Sequence, residues 1–448
     1  MEMLALLLPS DGSAWTITVQ PVGVYALGST AVACVGLKYL IDWYKRSQHR
    51  DAAAKLGHHA KTLREQRLDE LELDARLENM IDLSTVAATR EALSKYGPEV
   101  VCRRALLNCL RDPHNAVCEI VPSIEGKAKD SRGDLAGVPF TVKECLHIEG
   151  LHCTFGDAKR TESIMTGTSL VVRARCGFLH IAVARLASNL RVTVSLPGPM
   201  APTVEGCVTC FRAVVNDWPW AIREDPSLLP LSFDEAAYTS TNRLRLGVLV
   251  DNDFFDVTPA CRRAVDEAVA AAKALGHEVV PMPGHLVSKI AILFYALVSA
   301  DGGHQTLELL RHQVSEAWHL AADADEVHAE FMALWHSLNL DGLITPASVM
   351  PPPKQGTCSD LTPGCWPTFI FNLLDMPAGI IPATRVTAED DRALRERDII
   401  DRFDRILVDS CADSEGSPVG VQVVTPRFQD ELCFRIMGEL ESKLKPNA

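Results

Sequence analysis

The sequence predicts an α/β protein carried behind a single membrane-spanning helix. Three observations predict it. From about residue 137 onward, short apolar runs of strand character alternate with helical stretches, the pattern of a sheet layered with helices. The chain has 448 residues, 47% apolar and 23% charged, which suits a large buried core and excludes a collagen-like, coiled-coil or disordered protein. Between Gly12 and Leu37 no residue is charged, a run long enough for a span of about 20 residues.

The N-terminal run contains Val19, Val22, Val24, Leu27, Val32, Val35 and Leu37. Trp15 stands at one end and Tyr39, Trp43 and Tyr44 at the other, where aromatic rings anchor a helix at the membrane interface. Lys45, Arg46 and Arg50 follow, while Glu2 and Asp11 precede, so the basic flank and the body behind it stay cytosolic. The expectation is a transmembrane anchor over 14–41, making a single-pass protein of the endoplasmic reticulum or another endomembrane. A buried helix is the competing reading, because Thr16, Thr18, Gln20, Pro21, Gly23 and Gly28 make the run only moderately apolar. A cleaved signal peptide fits less well, since its basic residues belong before the apolar run.

Residues 51–82 are rich in Leu, Ala, Glu, Arg and Lys, with Leu63, Leu68, Leu71 and Leu77 at near-helical spacing, and predict a long amphipathic helix. Ser84 is positioned to cap a further helix that stops at Gly97-Pro98. Residues 51–97 thus form a helical linker with the first helices, and 98–445 form the body. Gly137 to Lys143 alternates like a strand, and Arg243–Leu249 predicts a second. A helix over Pro259–Leu275 follows, then strands at Glu278–Val280, Asp341–Pro346 and Pro418–Val424.

The formal net charge of -14 argues against a nucleic-acid partner, which needs clustered Lys and Arg. The fourteen cysteines are scattered without a disulfide framework, in keeping with a reducing compartment. Cys207-Val208-Thr209-Cys210 is a lone pair without the further ligands a zinc site requires, and His312, His319 and His328 fit a solvated helix face. No metal or cofactor is implied.

Lys143 carries the chemistry. It closes an apolar segment in which Val138, Phe140 and Val142 share one face, and a lysine at a buried strand end loses solvation and can act as a base. Most lysines so placed are simply solvated, and spacing alone leaves both readings open.

The string Gly137-Val138-Pro139-Phe140-Thr141-Val142-Lys143-Glu144 resembles the lysine segment of the amidase signature family, and the chain is most similar there to the membrane-anchored fatty-acid amide hydrolases. The resemblance continues through Gly198-Pro199-Met200-Ala201, Arg245–Val248 and Ala274–His277. It is closest in Asn372–Gly379 with Val386–Asp391, and in Pro418–Gln422 with Asp430-Glu431-Leu432. The resemblance implies a mixed twisted sheet flanked by helices, and hydrolysis of lipid amides such as N-acylethanolamines. It implies a lysine acting through a bridging serine on a nucleophilic serine, with Lys143 as that lysine. The implied partners are a lipid amide or fatty acid and the membrane, with a homodimer as a further partner.

The chain departs from the family where the serines belong. It contains no Ser-Ser dipeptide, and its one Gly-Gly, Gly302-Gly303, lies far downstream. Between Val171-Val172-Arg173 and Cys176-Gly177-Phe178, both similar to family segments, only Ala174 and Arg175 stand in place of several dozen residues. A second shortening, between Gly303 and Trp335, replaces the family's membrane-dipping insert with a polar stretch containing Asp323, Asp325 and Glu326. Ser163, Ser169 and Ser188 are the replacement nucleophile candidates, none with glycine on both sides. The expectation is a shortened amidase-like domain, inactive as it stands. A tethered pseudoenzyme that binds lipid or acts as a scaffold is one account, and the product of a skipped segment is another.

Overall fold

The computed structural model describes residues 75–111, 135–143, 146–153, 164–169, 198–298 and 318–444, with breaks at 217, 227–228 and 359, and five isolated positions besides. The expected anchor over 14–41, and most of the expected helix over 51–82, lie outside the described residues. Among the described residues no helix is long and apolar enough to cross a membrane.

The chain divides into two compact units. One joins Met1–Glu72 to Leu151–Ile164, and its described part holds a single antiparallel bridge, His152 to Ile164. The other, Leu73–Gly150 with Met165–Ala448, carries the body.

The body opens with three helices, α1 (Ala75–Met80), α2 (Val86–Tyr96) and α3 (Pro98–Arg111). The cap of α2 is Thr85, not Ser84: the Thr85 hydroxyl accepts the Ala88 N–H at 3.0 Å, while the Ser84 N–H is turned back to the Asp82 carboxylate. Gly97 ends the helix at φ 81°, as expected of a helix-stopping glycine. Next come α4 (Val204–Val215), α5 (Trp218–Glu224) and α6 (Glu235–Thr239).

The sheet follows: β1 (Arg245–Val248), α7 (Pro259–Ala274), β2 (Glu278–Pro281), α8 (Val287–Val298), α9 (Trp318–Ser337) and β3 (Gly342–Pro346). It is completed by α10 (Trp366–Leu373), β4 (Ala378–Arg385), α11 (Ala388–Glu396), α12 (Arg402–Cys411), β5 (Pro418–Val424) and α13 (Asp430–Glu441). The strand order is β2-β1-β3-β5-β4, parallel among the first three and antiparallel at β3–β5 and β5–β4. The sheet is therefore mixed.

Helices cover both faces. A methyl group on Gly342 would meet Ile436, and one on Gly379 would meet Met437, so α13 packs against that face. Gln422 is the neighbour of Val421 and Val423 along β5 and points the other way. There its amide donates to the Pro367 carbonyl of α10 at 2.6 Å. The buried core runs through both layers, from Ala264 and Val265 of α7 across Leu343, Ile344, Val421 and Val423 to Trp335 and Trp366.

One expected strand is absent from the described sheet. Residues 138–143 form no strand. The alternation is present, but a strand also needs a neighbouring ladder; no described strand lies beside this segment, and Pro139 lacks a donor. Conversely β4, not among the expected strands, is the longest strand described.

Candidate active site

The lysine-bearing segment is pinned at its start and open at its end. Gly137 sits at φ 75° in a tight turn, where a Cβ would come within 2.9 Å of Leu93, so the position requires glycine. Leu135 and Val138 are buried against Cys210 and Ala213 of α4, with Phe140 packed beside them. Beyond that apolar foothold Thr141 and Lys143 are both exposed. Of the two readings left open for Lys143, the structure shows the exposed side chain, on a segment that joins no described strand.

After Lys143 the chain turns back, the Leu146 N–H donating to the Lys143 carbonyl at 2.9 Å. The next residues are tied to the 165–169 segment. The His147 N–H donates to the Ser169 hydroxyl and the Ser169 N–H to the His147 carbonyl, both at 2.9 Å. The Glu149 N–H donates to the Thr168 hydroxyl at 2.9 Å, and the Gly150 N–H to the Met165 carbonyl at 2.9 Å. The structure therefore brings Ser169, half-buried, to the turn that follows Lys143. Ser163 and Ser188 lie outside the described residues. Thr168 and Leu170 flank Ser169, so no glycine stands next to it to open the backbone around a substrate carbonyl.

The motifs near the C-terminus prove architectural. Asp390, 7% exposed, caps α11 by accepting the Thr387 N–H while the Thr387 hydroxyl accepts its own N–H, a capping box. The Arg263 guanidinium of α7 clamps the same carboxylate at 2.7 Å and reaches the Thr384 hydroxyl and the Arg385 carbonyl. Burial alone would raise the Asp390 carboxyl, but the bonds from Arg263 and Thr387 outweigh it and hold it below the usual range. One clasp thus joins α7, β4 and α11. Nothing in the sequence marked Arg263 as its other half, since the two residues are far apart along the chain.

The thiols fit packing better than chemistry. Burial pushes Cys261, Cys411 and Cys433 up to about 12, far from the thiolate a nucleophile or metal ligand needs. Cys207 is raised by burial as well, and its thiol donates to the Pro199 carbonyl. Among the described residues no group of three His, Cys, Asp or Glu could hold a metal ion.

A mixed sheet between helical layers, with a lysine loop and a serine-bearing return ahead of it, defines an amidase-type α/β protein. The chain belongs to the amidase family, whose model matches residues 179–319 and 309–434. Among its relatives is fatty acid amide hydrolase 1 of Caenorhabditis elegans, 28% identical over 337 residues, 65% of this chain and 59% of that one. Fatty-acid amide hydrolase 1 of Sus scrofa is 28% identical over 297 residues, 56% of this chain and 51% of that protein. The chain thus spans between half and three fifths of the length of these two relatives. A solved fatty acid amide hydrolase superposes with a TM-score of 0.66 at 13% identity, covering 84% of this chain and 88% of that chain. That likeness is one of fold, and it agrees with the resemblance read from the sequence motifs.

Proposed function

We propose that this chain is a lipid-amide-hydrolase relative held on an endomembrane by its N-terminal segment, with the body cytosolic, and that it does not hydrolyse amides as it stands. The observation that carries this reading is the environment of Ser169. Its hydroxyl is engaged by the His147 N–H, and its neighbours are Thr168 and Leu170. Amide hydrolysis needs a nucleophile, a base in hydrogen-bond reach of it, and N–H donors placed around the developing oxyanion. Losing one such donor already costs about 10²–10³ in rate, and members of the unit fail together. A fatty acid or a lipid amide remains a fitting ligand for a chain of this family, bound without turnover by a tethered pseudoenzyme or scaffold.

The test is chemical. The full chain in detergent should show no serine labelling by a fluorophosphonate probe and no hydrolysis of oleamide or an N-acylethanolamine above background. Lys143→Ala should change neither result. A labelled serine whose reactivity disappears in Lys143→Ala would restore the enzyme.

A further inference from the structure

Among the described residues, acids stand both two and three places after a hydroxyl at Ser232-Phe233-Asp234-Glu235 and at Thr387-Ala388-Glu389-Asp390. A kinase cleft with basic side chains set for those two acids recognises either string by charge. The fold separates them. The Thr387 hydroxyl donates to the Asp390 carboxylate at 2.7 Å and accepts the Asp390 N–H at 3.2 Å. That carboxylate is itself buried under Arg263, so both the acceptor oxygen and the acid a kinase reads are taken up inside the capping box.

Ser232 is presented in the opposite way. Residues 229–234 belong to no helix or strand, and Leu229, Pro230, Leu231 and Ser232 are all exposed. Such a segment suits a cleft that takes its substrate as an extended chain. Phe233 anchors it: the residue is 7% exposed, its ring stands edge-on to Tyr238 at 5.6 Å, and its N–H donates to the Asn216 side-chain oxygen at 3.0 Å. Asp234 and Glu235 are exposed, and the helix they open, α6, has five residues, too few to hold its shape without packing.

The surroundings also say what a phosphate there would do. The Arg212 guanidinium of α4 lies over the Phe233 ring at 4.5 Å and holds the Glu235 carboxylate by two bonds, at 2.6 and 3.1 Å. The Asp234 N–H donates to the Glu431 carboxylate at 3.1 Å, which ties this corner to α13. A phosphate on Ser232 sets about two negative charges beside Asp234, Glu235 and Glu431, and its oxygens compete with Glu235 for Arg212. We propose that Ser232 is the phosphate acceptor for an acidophilic serine kinase, and that the phosphate takes Arg212 from Glu235 and loosens α6 from α13. In the transfer the Ser232 hydroxyl oxygen bonds to the γ-phosphorus of ATP and the bond to the β–γ bridging oxygen breaks. ADP leaves with that oxygen, and the hydroxyl proton passes to the catalytic base of the kinase.

The purified full chain in detergent, incubated with casein kinase II and magnesium ATP, tests this independently of where the protein resides in a cell. Mass spectrometry should place phosphate on Ser232, in the tryptic peptide from Glu224 to Arg243, and none on Thr387. Ser232→Ala, a change at an exposed position, should keep the wild-type melting temperature and leave that peptide unmodified. Hydrogen exchange reads the consequence: the α6 amides, whose Tyr238 N–H donates to the Asp234 carbonyl, should exchange about tenfold faster once Ser232 is phosphorylated. Arg212→Gln should speed the same amides without any phosphate. No phosphate on Ser232, phosphate on Thr387 in its place, or unchanged α6 exchange in the phosphorylated chain each overturns the proposal.

Discussion

Asp430 opens α13 with its carboxyl half-buried, and burial, reinforced by the neighbouring charges of Glu431 and Asp375, pushes it up to about 6. A carboxyl raised in the folded state keeps its proton longer than in the unfolded chain. Its contribution to stability is then lost as pH climbs from about 4 through about 6. Asp430→Asn should therefore raise the melting temperature near neutral pH and flatten its decline over that interval. A variant that melts lower than the wild type at neutral pH would contradict the assignment. Asp430 was legible as part of a motif, yet its environment was not, because Asp375 reaches it only through the fold. Lys143 shows the converse. Its type and place were legible from Gly137 to Glu144, whereas spacing alone left its exposure open between two readings.

The strands were read well where periodicity and a buried neighbour coincide. β5 occupies Pro418–Val424 as expected, and β1, β2 and β3 fall within about a residue or two of their expected ends. β4 escaped because Pro377, Gly379 and Pro382 argue against a strand, although proline is tolerated at an edge and the ladder shifts register after Pro382. The glycine in β1 has a packing reason that no local pattern reveals. A Cβ on Gly247 would lie 2.7 Å from Leu340 and 2.9 Å from Leu343, so the strand and the turn after α9 close only over a bare backbone. Gly247→Val should overpack this contact and cost about 2 kcal/mol, read as a lower urea midpoint with the same slope. An unchanged midpoint would mean the two leucines yield freely.

For the molecule as a whole, the stretch proposed to set location and the residues that build the described core are separate in the sequence. The charge-free run with Lys45, Arg46 and Arg50 behind it implies that the full chain pellets with membranes and resists high-salt washing. A variant beginning at Asp51 should be more soluble, since the 303–335 stretch is polar and α9 exposes Asp323, Asp325 and Glu326. Complete membrane retention of both would move the attachment into the body. The order in which the strands are joined has a consequence for synthesis. β5 lies between β3 and β4 although it is made after both. While the ribosome is still translating α11 and α12, β3 lacks one neighbour and β4 lacks the only described one it will have. Both present open rows of amide and carbonyl groups to whatever else is nearby, and the interval ends only when Pro418–Val424 slides between them. The last thirty-odd residues therefore seal the sheet, and a stop codon ahead of them would leave a protein with most of its mass and no finished core.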